Sequence, residues 1–355
     1  EINKQKELNY PPYFINRPIK LDIRNYEDDE IIDKKFICIQ HAYYVDIAIN
    51  QINKLISLEI PFTLVITTDL ESKKKELKEF CSRNLIDANI NIHENRGRDL
   101  KPFFSELKKL KKTKLPILHI HTKKSPHEEG LRNWGDDIFS KLVSTKQNVI
   151  GILEIFEKTN VGIIYPDFIK IIKRRINWGY NFKKAHNLLK DLNIDIDVND
   201  FLLFPAGSMI WVKYDAIKEL INYKFKDNFF EEEAGQEDGT GAHALERVFF
   251  HICKKNGFEY LPITIEEKNK KIKSMKIPTF YKINHLVDYC KRYISPEFKR
   301  YLKAFLPENN FNLTYPVLFK KSKNDQSRIN LIIPTLEPEK VYGGITTALK
   351  LLKNI

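Results

Sequence analysis

The sequence predicts an α/β protein built on a mostly parallel, Rossmann-like sheet flanked by helices. Three observations carry this. The runs FICIQHAYY, FTLVITTD, LPILHIH and NVGIIYP are apolar without polar alternation, as expected of strands buried on both faces. The stretches between the first strands carry apolar residues at helical spacing. Strand, turn and helix repeat in succession from Lys34 onward, and right-handed crossovers then gather the strand C-termini along one edge.

Taken in order, residues 1–33 with PPYF and NYEDDE read as an extended arm with little core of its own. The main domain is predicted over 34–265. Its first strand, FICIQHAYY, precedes a helix with Val45, Ala48, Ile49, Ile52, Leu55 and Ile56 on one face. FTLVITTD is the second strand, and Leu77, Phe80, Cys81 and Leu85 line the helix after it. ANINIHE is the third. A Lys-rich helix from Lys101 to Lys112 then leads into LPILHIHTKKS. The segment LRNWGDDIFSKLVSTKQNVIGILEIFEKT reads as one long amphipathic helical region ahead of the strand NVGIIYPDF.

Residues 169–200 form a polar, basic insertion with Arg174, Arg175, Trp178, Gly179 and Tyr180. Exposed aromatics among cations suit a sugar or a nucleotide; a loop packed on its own domain has the same composition. FLLFPAGSMIWVKYDAIKEL reads as a strand interrupted at Pro205–Ser208, where Gly207 would let a ligand approach the backbone. In the last motif Thr240 is the predicted N-cap, Ala244, Leu245, Val248, Phe249 and Ile252 the buried stripe, and Gly257 the terminator. Residues 266–325 read as a charged helical extension and linker, suited to domain packing or to a membrane surface.

The balance of 59 Lys+Arg against 47 Asp+Glu leaves a net charge of +12, which favours phosphate-bearing ligands, nucleic acid or an anionic membrane face. The basic residues are spread through helices rather than grouped in a nucleic-acid module, which argues against nucleic acid. Cys38, Cys81, Cys253 and Cys290 are far apart with no CxxC, so reduced thiols are expected and a zinc site is not. No run reaches the roughly 18 apolar residues of a membrane span. The chain opens on Glu1 rather than Met and is read as a piece of a longer protein.

The predicted strand edge collects Gln40 and His41, then Asp69, then Asn95, Arg96, Arg98 and Asp99, then His119, His121, Lys123 and Lys124. Ligands of open α/β sheets bind at that edge, and these cations select an anionic one. Asp69 and Asp99 are equally suited to capping the helices that follow them. His119 and His121 share one face of an apolar strand that has no structural need for them. Lys108, Lys109, Lys111, Lys112 and Lys114 read as a solvated face. Glu237 and Asp238 precede a helix that carries His243 and Arg247 one turn apart. A carboxylate at that position is either a cap or a catalytic base.

The order NxGRD, HxHTKKS, VGIIYP, FPAGSMIW and EDGTxxHxxER resembles the rhamnan synthesis protein F family of bacterial polysaccharide glycosyltransferases, over roughly Lys35 to Pro262. The resemblance implies a GT-A-like layout and transfer from a nucleotide-sugar donor. It puts Asp69 at the base or ribose and Asn95, Arg96, Arg98 and Asp99 around the nucleotide. Asp238, with Glu237 beside it, becomes the base that deprotonates the acceptor hydroxyl. Trp134, Gly207, Ser208, His243 and Arg247 become acceptor-binding or supporting residues. Where ordinary GT-A enzymes hold a divalent metal with Asp-x-Asp, this chain has His119-Ile120-His121 followed by Lys123 and Lys124.

Two imidazoles without a neighbouring carboxylate make a poor magnesium or manganese site. Hence Lys123 and Lys124 are expected to neutralise the leaving diphosphate, with no metal ligand and no cofactor assigned; a divalent metal is the less favoured alternative. The expected reaction is a single inverting displacement. The missing Asp-x-Asp leaves a second reading, a catalytically inactive nucleotide- or glycan-binding scaffold. The expected partners are a nucleotide-sugar donor and a lipid-linked glycan acceptor, met in the cytoplasm at the inner face of a bacterial membrane with peripheral contact. Residues 326–355, RINLIIPTLEPEKVYGGITTALKLLKN among them, resemble the first strand, glycine loop and helix of a GT-B-type transferase, so a downstream glycosyltransferase module is expected.

Overall fold

The computed structural model describes residues 34–123, 129–173, 175–200, 202–265 and 272–274. The predicted arm at 1–33, Lys124, Arg174, the GT-B-like start at 326–355 and all of the charged extension except 272–274 lie outside the described residues. The chain divides into two units, Glu1–Tyr289 and Cys290–Ile355, and every described residue lies in the first.

The predicted α/β class is what the chain adopts. Among the described residues eight strands form one sheet: β1 (Phe36–His41), β2 (Phe62–Thr68), β3 (Ala88–Ile92), β4 (Ile117–His121), β5 (Val161–Pro166), β6 (Ile210–Val212), β7 (Glu259–Ile265) and β8 (Ile272–Ser274). Their order is β3-β2-β1-β4-β6-β5-β7-β8. The first four are parallel neighbours, and β5 and β7 are parallel to each other; β6 runs antiparallel to both its neighbours, as β8 does to β7. Three helices follow the first strands: α1 (Val45–Ile56), α2 (Glu71–Arg83) and α3 (Leu100–Lys109). The rest are α4 (Trp134–Leu142), α5 (Lys146–Lys158), the one-turn α6 (Lys170–Lys173), α7 (Phe182–Asp191), the short α8 (Lys218–Asn222) and α9 (Gly241–Lys255).

Strand alternation sends side chains into two separate cores. Ile37, Ile39, Val65 and Ile117 join Phe103, Phe104, Leu245 and Phe249 on one face of the sheet. Phe36, Cys38, Leu64, Ile66, Leu118 and Ile120 join Ile52, Leu77, Val149 and Trp211 on the other. The strands β1, β4 and β5 are buried along their whole length, which accounts for their unbroken apolar runs, whereas the edge strand β3 has no buried residue and alternates Asn with apolar residues.

Two expectations need correction. The long helical region is two helices, because the backbone leaves the helical conformation at Val143 and the extended Thr145 starts a new helix by accepting a hydrogen bond from the Asn148 N–H at 3.2 Å. The strand expected through FLLFPAGSMIWV is only Ile210–Val212. Pro205 has no N–H to donate, and Gly207 and Ser208 both take positive φ, so the backbone turns there instead of extending a ladder. Cys38, Cys81 and Cys253 are buried free thiols, and Cys290 lies outside the described residues. Among the described residues no helix is long and apolar enough to cross a membrane.

Candidate functional site

From β1 the chain moves outward through β2 to β3, then returns to place β4 on the opposite side of β1. The crossovers diverge between β1 and β4, which opens a crevice at their C-terminal ends. The paired residues at that point are His41 and His121, and one step back Ile39 faces His119. His41, His119 and His121 therefore share one sheet face. Gln40 points through the other, where its amide donates to the Ala48 carbonyl at 3.2 Å and to Gln51 Oε1 at 2.8 Å.

Asp99 occupies the N-cap position of α3 without capping it. Its Oδ2 accepts from the Ser208 hydroxyl at 2.5 Å and lies 3.7 Å from His119 Nε2. The imidazoles close the other side of the same turn. His119 Nδ1 donates to the Ser208 carbonyl at 2.9 Å, and His121 Nε2 donates to the Gly207 carbonyl at 2.8 Å. His41 Nδ1 shares a hydrogen bond of 2.9 Å with Thr67 Oγ1. Burial lowers His41 and His119 to about 4, outweighing the upward pull of Asp99. Burial alone would raise Asp99, yet His121, His119 and the Ser208 hydroxyl hold it well below the usual carboxylate range. His119, 0% exposed, also stacks on Phe103 with ring centroids 4.0 Å apart. The two β4 histidines thus have a structural use that strand alternation could not reveal: they clamp the Gly207–Ser208 turn.

In front of this network lies a charged rim. The Lys123 ammonium sits 4.3 Å from the centre of the Trp134 ring. Burial lowers its pKa, while Glu246 and Asp99 pull it back up. Gly207 packs its bare Cα on α4: a Cβ there would lie 2.6 Å from Ile138 and 3.3 Å from Trp134. The missing side chain makes room for the protein's own helix. Arg98, at φ 53°, reaches the Gln236 carbonyl and lies 3.5 Å from Glu233 Oε2. His243 is lowered to about 4 by burial and then by Arg98, with Arg247 and Lys123 adding to it and Asp238 opposing. That imidazole is the point on which the cations converge.

Asp238 is held on three sides. Its Oδ1 accepts from Asn181 Nδ2 at 2.6 Å and from Arg247 Nη2 at 3.2 Å, and its Oδ2 accepts from the Tyr180 N–H at 3.2 Å. Burial would raise its pKa, but Arg247, Asn181 and the Tyr180 N–H bring it below the usual value. Glu246 goes the other way: burial raises it against the pull of Arg247, Lys123 and the Gly207 N–H, which donates to Oε1 at 2.6 Å. Sequence reasoning missed Glu246 and Asn181. Glu246 had a signal, since it lies three residues after His243 on the polar side of α9; Asn181 had none.

The remaining candidates are spread around the rim. Arg96 pairs with Glu232 at 2.7 Å and lies 3.6 Å from Glu94, so it ties the loop after β3 to the loop before α9. Asn95 and Glu237 are exposed. Asp69 pairs with Lys73 at 2.6 Å rather than capping α2, whose N-cap is Leu70. Of the two readings of the insertion, Trp178 follows the packed loop, 0% exposed with its ring edge-on against Phe182, while Tyr180 stands out at 87%. Among the described residues no group of three or more His, Cys, Asp or Glu is placed to hold a metal ion.

The family model described as rhamnan synthesis protein F matches residues 6–258, a span that includes every candidate site residue. The chain belongs to the rhamnan synthesis protein F family. It is also 32% identical over 222 residues to two proteins of Xanthomonas campestris pv. campestris, from strains B100 and ATCC 33913, each described as uncharacterized protein WxcX. The aligned region is 61% of this chain and 31% of each relative, so the chain spans about a third of the length of the curated relatives it matches. For this member of the rhamnan synthesis protein F family, the span that matches the family contains the switch-point crevice and its charged rim.

Proposed function

We propose that this domain transfers a sugar from a nucleoside-diphosphate donor to a hydroxyl of a growing lipid-linked bacterial surface polysaccharide such as O-antigen, capsule or rhamnan. One observation carries the reading: Lys123, Arg98 and His243 lie within electrostatic reach of one another at a switch-point edge, with Asp238 across the same group. Among the described residues Lys123 has no carboxylate in an ion pair, so its charge is available to a ligand. A diphosphate supplies the missing counter-charge. In this GT-A-like arrangement Asp69 meets the base or ribose, and Asn95, Arg96 and Arg98 line the nucleotide pocket. Asp99, His119 and His121 act from behind by fixing the Gly207–Ser208 turn.

The reaction is an in-line displacement. The acceptor oxygen bonds to the anomeric carbon as the bond from that carbon to the diphosphate oxygen breaks. The leaving nucleoside diphosphate takes the electron pair, Asp238 takes the acceptor proton, and the configuration inverts. Asp238 is ionised at neutral pH, as a base must be, and reach counts for more than basicity in such a role. Lys123 and Lys124 neutralise the leaving group without a metal, so EDTA should leave turnover unchanged. The acceptor is met at the inner face of the cytoplasmic membrane.

The direct test is thermal stabilisation by UDP and TDP together with transfer from a panel of nucleotide sugars. Lys123→Ala should lower kcat by about 10²–10³, the usual cost of one donor to developing negative charge, and should weaken nucleotide stabilisation. Asp238→Asn should abolish turnover and keep that stabilisation. If Glu237→Gln stops the reaction and Asp238→Asn does not, the base is Glu237. A second reading has its own support: three hydrogen-bond donors on Asp238 make it a weak base, as in a glycan- or nucleotide-binding scaffold. Nucleotide binding without transfer from any donor would favour that reading.

A further inference from the structure

The exposed ring of Tyr180 has no part in the reaction as written. Its backbone is nonetheless fixed from both sides. Trp178 is buried, and its carbonyl accepts from the Asn181 N–H at 2.9 Å and from Asn181 Nδ2 at 3.0 Å. Asn181 Nδ2 and the Tyr180 N–H both donate to Asp238. Gly179 lies so close to Asp238 Oδ2 that any side chain there would collide with the carboxylate. On the far side, a Cβ on Gly239 would stand 3.2 Å from Tyr180 Cβ. An aromatic residue on a mobile loop loses backbone entropy when a ligand orders it; here the backbone that carries the ring is already held.

We propose that Tyr180 is a stacking platform for a pyranose ring of the acceptor glycan, a binding role that rests on Asp238 lying at the acceptor hydroxyl. The ring face carries negative quadrupole charge, and the apolar face of a sugar presents slightly positive C–H groups to it. The Asp238 carboxylate, which accepts from the Tyr180 N–H, stands beside the ring as a partly exposed acceptor for a sugar hydroxyl. A flat apolar surface with hydrogen-bonding groups at its edge is the chemistry of a carbohydrate subsite. The turn that fixes Asp238 fixes Tyr180 as well, so the sugar is oriented relative to the carboxylate.

The test uses the chain with Tyr180→Ala and Tyr180→Phe, a rhamnan oligosaccharide as probe, and saturation-transfer NMR as readout. Wild type and Tyr180→Phe should transfer saturation to the C–H protons of one sugar ring, and Tyr180→Ala should lose it. Where turnover is measured, Tyr180→Ala should raise the acceptor KM about tenfold, in line with the loss of one aromatic contact, with nucleotide stabilisation unchanged. Because the side chain is exposed, the melting temperature should stay within about 2 °C of wild type. Equal saturation transfer by Tyr180→Ala, or none by wild type, overturns the proposal. Glycan binding that depends on Tyr180 in a chain that no nucleotide stabilises would instead sink the transferase reading and leave this one standing.

Discussion

Gly97 shows what single residues contribute to this site. It lies between Arg96 and Arg98 at φ 71°, and a Cβ there would stand 2.5 Å from Phe230 Cδ1 and 2.7 Å from Lys101 Cβ. Both the backbone conformation and the space therefore require glycine, and the two arginines are aimed by a turn that no other residue can make. Gly97→Ala should cost about 2–3 kcal/mol, the sum of a disfavoured φ and an overpacked contact, read as a fall in the urea midpoint. His119 and His121 show the converse. Their rings are committed to the carbonyls of Ser208 and Gly207, so they support the site through the backbone rather than as anion ligands.

At the scale of elements, the N-terminus of α9 organises the rim. Thr240 Oγ1 accepts from the His243 N–H at 3.4 Å, and His243 Nδ1 turns back toward Thr240, completing a capping box with histidine where Glu or Gln is usual. The Gly241 N–H is taken by Glu231 Oε2 at 2.8 Å. One turn of helix thereby fixes His243 and, through it, the order Asp238, His243, Glu246, Arg247 along the rim. Thr240→Ala should destabilise the chain by about 1 kcal/mol, the usual worth of an N-cap side chain. Because His243 Nδ1 loses the Thr240 hydroxyl at 2.8 Å and keeps only the backbone N–H at 3.4 Å, the imidazole signal of His243 should shift in NMR while those of His41 and His119 stay in place. Equal shifts at all three rings would mean that the helix end and the sheet edge are not independent.

At the scale of the whole molecule, histidine burial sets the acid stability. His41, His119, His243 and His251 are all lowered to about 4 by burial. The unfolded chain therefore takes up protons near pH 6.5, the ordinary histidine value, that the folded chain refuses until about pH 4. Stability is full above that unfolded value and is lost as pH falls through the window. Glu246, raised by burial, opposes the trend, but it is one group against four. Urea midpoints should be level from pH 8 to 7 and fall steadily from pH 6.5 to 4.5. A flat profile would mean that these rings reach solvent in the folded state. Much of the molecule was legible in sequence: unbroken apolar runs marked strands buried on both faces, helical spacing marked α1, α2 and α9, and Thr240 and Gly257 marked the ends of α9. The motifs also marked the strand edge where charge gathers. Residue pattern determined these because each depends on neighbours a few positions away. What the tertiary structure alone decided were the partners: Asp99 with Ser208, His119 with the same turn, Arg98 with Gln236, Glu246 with Gly207. Those pairs are separated by 109, 89, 138 and 39 residues. A hydrogen bond needs atoms about 3 Å apart, and over such separations only the folded path of the chain fixes that distance.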